Sequence, residues 1–135
     1  MADGKTLRCL LITPEQQVLE CDATMVALPV HDGEMGFLTN RAPLLCKLGV
    51  GELRVSSVDG DQRFFLDSGF AQMLNNELTI LTEGAEAASD IDLAQVEKEL
   101  QDASAMPAAD PALRKAKDLA VARAKARKRV ALSRR

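Results

Sequence analysis

Three kinds of side chain in this 135-residue chain could do chemistry: one histidine, three cysteines and a crowd of cations near the C-terminus. His31, the only histidine, stands beside Asp32 in a turn. No serine or cysteine nucleophile signature accompanies it, so a surface turn residue is the expected role. Cys9, Cys21 and Cys46 are odd in number, lack metal-ligand spacing and each sit in an apolar run. That pattern predicts small buried thiols in a reducing cytoplasm. The sequence has no glycine-rich phosphate loop followed by Lys and Ser or Thr, and no metal-ligand cluster. The chain is therefore expected not to be an enzyme by itself.

The cations carry the sharper signal. Residues 1–110 hold 19 acidic and 7 basic side chains, whereas residues 111–135 hold 10 basic and 1 acidic, within a net charge of −3. An acidic body with a basic tail suggests an acidic partner for the tail, which would be the body itself, another protein, nucleic acid or a membrane surface; composition alone equally allows a solvated helix face. The absence of Trp and Tyr removes a stacking platform for single-stranded nucleic acid. No run of about 18 apolar residues predicts a membrane span, and the first residues have neither signal-peptide nor transit-peptide character.

The elements that must position these residues fall into two kinds. Residues 7–82 read as short strands with frequent turns, the pattern of a sandwich or barrel rather than of βαβ units. Strands are predicted over 7–12, 18–20, 23–28 (ended by Pro29), 51–58, 63–66, 70–74 and 77–82. Asp32-Gly33, the Gly33–Gly36 bracket, Asn40 to Pro43, Asp59-Gly60, Asp67-Ser68-Gly69 and Asn75-Asn76 mark corners. Phe64, Phe65, Phe70, Leu78 and Ile80 are assigned to packing between two sheets.

After an acidic link over 83–88 the period changes. Ser89 or Asp90 can cap a helix whose Leu93, Val96, Leu100 and Ala103 share one face. Pro107 lies in a break, and Asp110-Pro111 starts a second helix that runs to Arg135 without Gly or Pro. Ala112, Ala116, Leu119, Ala122, Ala126 and Val130 form a narrow stripe along it. Such a stripe buries little area, so an antiparallel helical hairpin with a competing opened arrangement is expected. The predicted fold is α+β: an N-terminal antiparallel β-sandwich domain over 1–86, then a C-terminal antiparallel two-helix hairpin over 87–135.

The run DGEMGFLTNRAPLLCKLGVGELRV resembles the signature of the F-type ATP synthase epsilon subunit. The matching blocks are Gly33-Glu34-Met35-Gly36, read as a turn, Ala42-Pro43-Leu44-Leu45, and a Gly51 turn leading into Leu53-Arg54-Val55. Phe65 to Phe70 and Asn76 to Leu81 are similar to two further blocks. The resemblance implies a non-catalytic rotor subunit of the central stalk, peripheral to the cytoplasmic face of a bacterial inner membrane, in proton-driven ATP synthesis. It implies that the sandwich binds the gamma subunit and rests on the c-subunit ring, with Glu34 and Arg41 as the ring contacts. It also implies that the hairpin extends to inhibit ATP hydrolysis, its basic helix meeting an acidic segment of the catalytic β subunit. Arg114, Lys115, Lys117, Arg123, Lys125, Arg127, Lys128 and Arg129 are the residues that would do so.

Some bacterial members bind ATP through an Ile/Leu-Asp-x-x-Arg-Ala motif. Here Ile91-Asp92 is followed by Gln95-Val96, which leaves at most a weak regulatory site of Ile91, Asp92, Arg123 and Arg127. No other cofactor is expected. A nucleic-acid- or protein-binding adaptor using the basic helix is the rival class. The acidic body and the lack of a base-reading motif argue against a nucleic-acid partner. A free-standing ligand-binding sandwich would instead need a polar-lined pocket.

Overall fold

The computed structural model describes residues 6–31 and 33–133. Asp32, half of a predicted turn, and the last two residues of the predicted second helix lie outside the described residues. Eight strands come first: β1 (Leu7–Ile12), β2 (Gln17–Ala23), β3 (Met25–Val30), β4 (Gly33–Phe37), β5 (Leu44–Ser57), β6 (Gly60–Leu74), β7 (Glu77–Thr82) and β8 (Ala85–Ala87). A 3-10 turn over Ala88–Asp90 leads to α1 (Leu93–Ser104) and α2 (Pro111–Ser133).

The strands form one hydrogen-bonded sheet in the order β2-β1-β7-β6-β5-β3-β4, with β8 beside the first half of β6. Every pair is antiparallel except β1–β7, which is parallel and departs from the all-antiparallel expectation. The sheet folds over on itself into a sandwich. Leu7 and Leu11 of β1 and Phe37 of β4, far apart in the strand order, share one core with Leu28, Leu53, Leu66 and Ile80.

Two long strands make the fold-over, where the sequence predicts corners. β5 and β6 pair from Leu44↔Met73 to Ser57↔Gly60. The predicted Gly51 turn is instead a close approach inside β5, because a Cβ there would lie 2.8 Å from Pro29 Cβ. Pro29 does not end its strand. It sits buried in β3 opposite Glu34 of β4, where the ladder to β5 is already irregular between Ala27 and Val30, so its missing N–H costs no regular pairing. The Asp67–Gly69 corner is a kink within β6, with Ser68 at φ 62° and Gly69 at φ 131°. A Cβ on Gly69 would lie 2.0 Å from the Leu81 carbonyl oxygen, so only glycine fits. Before the kink β6 pairs with β8; after it, with β7. The Gly33–Gly36 bracket is likewise no turn: it is edge strand β4.

The hairpin departs less. Asp92, not Ser89 or Asp90, caps α1, its Oδ1 accepting from the N–H of Ala94 at 2.9 Å and of Gln95 at 3.4 Å. Val96 and Ala103 are buried on the predicted face, with Leu93 and Leu100 half-buried. Asp110 Oδ1 accepts from the Leu113 N–H at 2.8 Å, with Pro111 first in the helix as predicted. Glu97 and Glu99 of α1 meet Lys128 and Arg127, while Ser104 lies beside Lys117 and Val121, so the helices run antiparallel. The predicted stripe of α2 is the covered face over only half its length. Ala126 and Val130 are buried, but Ala112, Ala116, Leu119 and Ala122 are exposed, while Lys117, Ala120 and Val121 are the half-buried positions there.

Candidate interaction surfaces

Three surfaces gather the candidate residues. The first lies between hairpin and sandwich. Phe64 and Phe65 are adjacent on a strand and point to opposite faces. Phe64 enters the sandwich core, and Phe65 enters a second cluster with Ile91, Val96, Ala126, Val130 and Ala131. Phe65 therefore packs under the helices and not between the sheets.

Ion pairs rim this cluster. Arg127 donates from Nη2 and Nε to Glu86 Oε1 at 2.8 and 3.1 Å, and from Nη1 to Glu99. Its guanidinium carbon stands 6.0 Å from the Phe65 ring centroid. Burial works to lower its pKa, but the hydrogen bonds and charges of Glu86 and Glu99 more than offset this and the net direction is upward. Arg123 reaches Asp67 Oδ1 from Nε and Nη2, both at 3.2 Å, and Lys128 Nζ reaches Glu97 at 3.2 Å. Beyond them Ser133 Oγ donates to Glu52 Oε2 at 2.7 Å, and Glu52 also holds Arg63. The acidic partner of these cations is thus the chain's own body. Arg114, Lys115, Lys117, Lys125 and Arg129 have no ion pair among the described residues.

The four residues of the weak ATP site are not gathered around open space. Ile91 is buried under α2, Asp92 is committed to capping α1, and both Arg123 and Arg127 already hold carboxylates. Sequence reasoning missed those carboxylates. Glu97 and Glu99 stand on α1, and Glu86 lies in the stretch read as a link, where the single acid of β8 was the available signal.

The second surface is one end of the sandwich. Glu34 is exposed on edge strand β4, and Arg41 is exposed in the following loop. The Arg41 guanidinium carbon lies 5.0 Å from the Phe37 ring centroid and Nη2 lies 4.0 Å from Met35 Sδ, so the side chain rests over its own strand. Asn76 fixes the loop. Its Oδ1 accepts from the Asn40 N–H at 2.7 Å and its Nδ2 donates to the Thr6 carbonyl at 2.8 Å. Asn75 and Asn76 have φ 52° and 62°, values of a type I′ hairpin turn. The turn signal was legible; the bridging role was not.

The third surface was not anticipated. On the outside of β1-β7-β6-β5 the register lines up Ile12, Leu81, Phe70 and Lys47, with Leu10, Thr79, Gln72 and Leu45 in the next row. Leu45 is 70%, Phe70 53% and Leu81 51% exposed. Phe70, assigned to the core from sequence, faces outward because the kink at Ser68 and Gly69 shifts the alternation by one residue. Phe64 and Leu66 point inward before it, and Ala71 and Met73 after it. A contiguous apolar face on a sealed sandwich is a docking surface by its chemistry. Among the described residues no helix is long and apolar enough to cross a membrane.

Residues 6–88 match the family described as ATP synthase, Delta/Epsilon chain, beta-sandwich domain. The chain is 40% identical over 120 residues to an ATP synthase epsilon chain of Rhodopirellula baltica, spanning 89% of this chain and 94% of the relative. It is 42% identical over 99 residues to a chloroplastic ATP synthase epsilon chain of Pyropia yezoensis, spanning 73% and 74%. Its fold superposes with a TM-score of 0.82 on a chain of the Euglena gracilis mitochondrial ATP synthase, OSCP/F1/c-ring, at 23% identity, covering 93% of this chain and 82% of that one. A chain of the Tetrahymena thermophila mitochondrial ATP synthase central stalk/c-ring gives 0.68 at 15% identity, covering 92% and 95%. At those identities the structures speak for the fold.

Proposed function

The chain belongs to the ATP synthase delta/epsilon chain family, and on that premise we propose that it is a non-catalytic central-stalk subunit whose hairpin restrains ATP hydrolysis. The sandwich docks on the gamma subunit through the apolar face around Phe70 and Leu81. The end carrying Glu34 and Arg41 rests on the c-subunit ring, its loop held stiff by Asn76. The complex holds the chain at the cytoplasmic face of a bacterial inner membrane.

The observation that carries the regulatory part is the way α2 is held. A few apolar anchors fix its second half, ion pairs to Asp67, Glu86, Glu97 and Glu99 rim them, and most residues of the first half are exposed. Partly exposed ion pairs contribute little net energy and weaken with salt. An acidic segment of the catalytic β subunit would offer the same cations an equivalent partner, and the uncommitted Arg114, Lys115, Lys117, Lys125 and Arg129 a new one, so exchange between the two arrangements is inexpensive. Because Arg123 and Arg127 already hold carboxylates, the folded arrangement needs no nucleotide to neutralise them.

Deletion of residues 89–135 tests this in the assembled enzyme. ATP hydrolysis should rise while the complex stays intact; unchanged hydrolysis overturns the regulatory reading. Capture of the gamma subunit by the full chain, lost in Phe70→Glu, tests the docking face.

A further inference from the structure

We propose that Cys9 and Cys21 form a dithiol site that a small-molecule disulfide of the glutathione class converts into a cross-strand disulfide. The two residues are direct register partners on the antiparallel strands β1 and β2. Direct cross-strand partners have Cα atoms about 4.5 or 5.5 Å apart, according to the hydrogen-bonding position. Both spacings fall inside the roughly 4.4–6.8 Å range that a disulfide needs. Side chains of direct partners project from the same face, and here that face is the inner one. Cys9 is fully buried in the sandwich core, and half-buried Cys21 packs against the same core.

The surroundings hold the pair in register and leave one member reachable. On the outer face Arg8 makes ion pairs with Glu20 and Asp22, the residues on either side of Cys21. Those pairs clamp β2 against β1 at the level of the thiols. β1 is fixed from its other side by β7, with Cys9 opposite Leu78, whereas β2 is the edge of the sheet. Cys9 is therefore the rigid member, and Cys21 is the one with room to adjust. Cys46 is on β5 opposite Ala71 and is a register partner of neither Cys9 nor Cys21. The odd thiol count thus divides into a facing pair and a single.

The chemistry follows that asymmetry. Burial pushes the Cys9 thiol up to about 12, and burial, then the Asp22 carboxylate, raises Cys21. Thiolate is scarce on both at neutral pH, so exchange is slow there and quickens with alkalinity. Cys21, the more accessible thiol, loses its proton to solvent and attacks one sulfur of the disulfide RSSR, forming a mixed disulfide and releasing RS⁻. Cys9 then attacks the Cys21 sulfur, its proton passing to the second RS⁻ as that leaves. The protein pair is oxidised by two electrons and RSSR is reduced to two RSH.

Treating the folded full chain with glutathione disulfide at mildly alkaline pH tests this. Free thiols should fall from three to one per chain, the mass should drop by two hydrogens, and the Cys9 and Cys21 peptides should be joined. Reductant should restore all three. Cys46→Ser should form the same crosslink, and Cys9→Ala should stop at a glutathione adduct on Cys21. A stable adduct on Cys21 in the native sequence, a crosslink through Cys46, or three persistent thiols under conditions that oxidise the unfolded chain would each overturn the proposal.

Discussion

Two apolar clusters meet along β6, one filled mostly by large side chains and the other partly by alanines. The sandwich core draws Leu, Ile, Val, Met and Phe from β1, β3, β4, β5, β6 and β7. The hairpin cluster has Phe65, Ile91, Val96 and Val130, and its remaining buried members are alanines. A fully buried large side chain is worth about 1.5–3 kcal/mol, whereas alanine offers a single methyl. The hairpin makes up part of the difference with ion pairs, whose strength depends on salt. The same chain thus carries one region whose stability comes from burial and another held in part by salt-sensitive ion pairs.

The contrast can be broken most forcefully at Phe37. Phe37→Ala should cost about 3–5 kcal/mol and lower the midpoint of denaturant unfolding for the whole sandwich. Ile91→Ala should cost about 2–4 kcal/mol, but locally: amide hydrogen exchange should accelerate in α1 and α2 and not in β1, β3 or β7. If strand amides accelerate equally, the two clusters are one unit.

Alkaline pH should sharpen the contrast from the other side. Cys9 is raised from 9.0 to about 12 in the folded chain, so the unfolded chain binds fewer protons between those values. Stability is intact below about pH 9 and should fall by about 1.4 kcal/mol per pH unit from there to about 12. Unfolding measured against pH should show this slope in the native sequence and a shallower one in Cys9→Ala, where Cys21 and Cys46, also raised, remain.

Smaller effects belong to the rim. Arg127→Gln leaves Glu86 and Glu99 half-exposed without their cation, and should loosen α2 by about 1–2 kcal/mol, read by exchange of its amides. Lys128→Ala removes a solvent-exposed pair and should change hairpin protection by less than about 1 kcal/mol, an effect that added salt should erase.

Patterns that act within a few residues were legible. Asn75-Asn76 announced a hairpin turn, Asp110-Pro111 a helix start, and the unbroken run after it one long helix. The resemblance carried by the GEMG and APLL blocks led to the right family, although the GEMG block is strand and not turn. Of the eight tail cations named, sequence could not separate Arg123, Arg127 and Lys128, which have carboxylate partners, from the remaining five, which have none among the described residues. Nothing in the cation spacing along α2 marks those three, because the carboxylates that select among them sit on β6, β8 and α1.

The sequence by itself determined the two fold regions, the sandwich-then-hairpin order and the acidic-body, basic-tail division, because period, capping and composition act between near neighbours. Only the tertiary structure decided that Phe70 faces out, that Gly51 serves an approach to Pro29, and that Cys9 faces Cys21. Each of these depends on strand register or on a one-residue shift of alternation. Both are fixed by pairing between residues distant in the chain, as when Asn76 closes on Thr6, and no window of local sequence contains both partners.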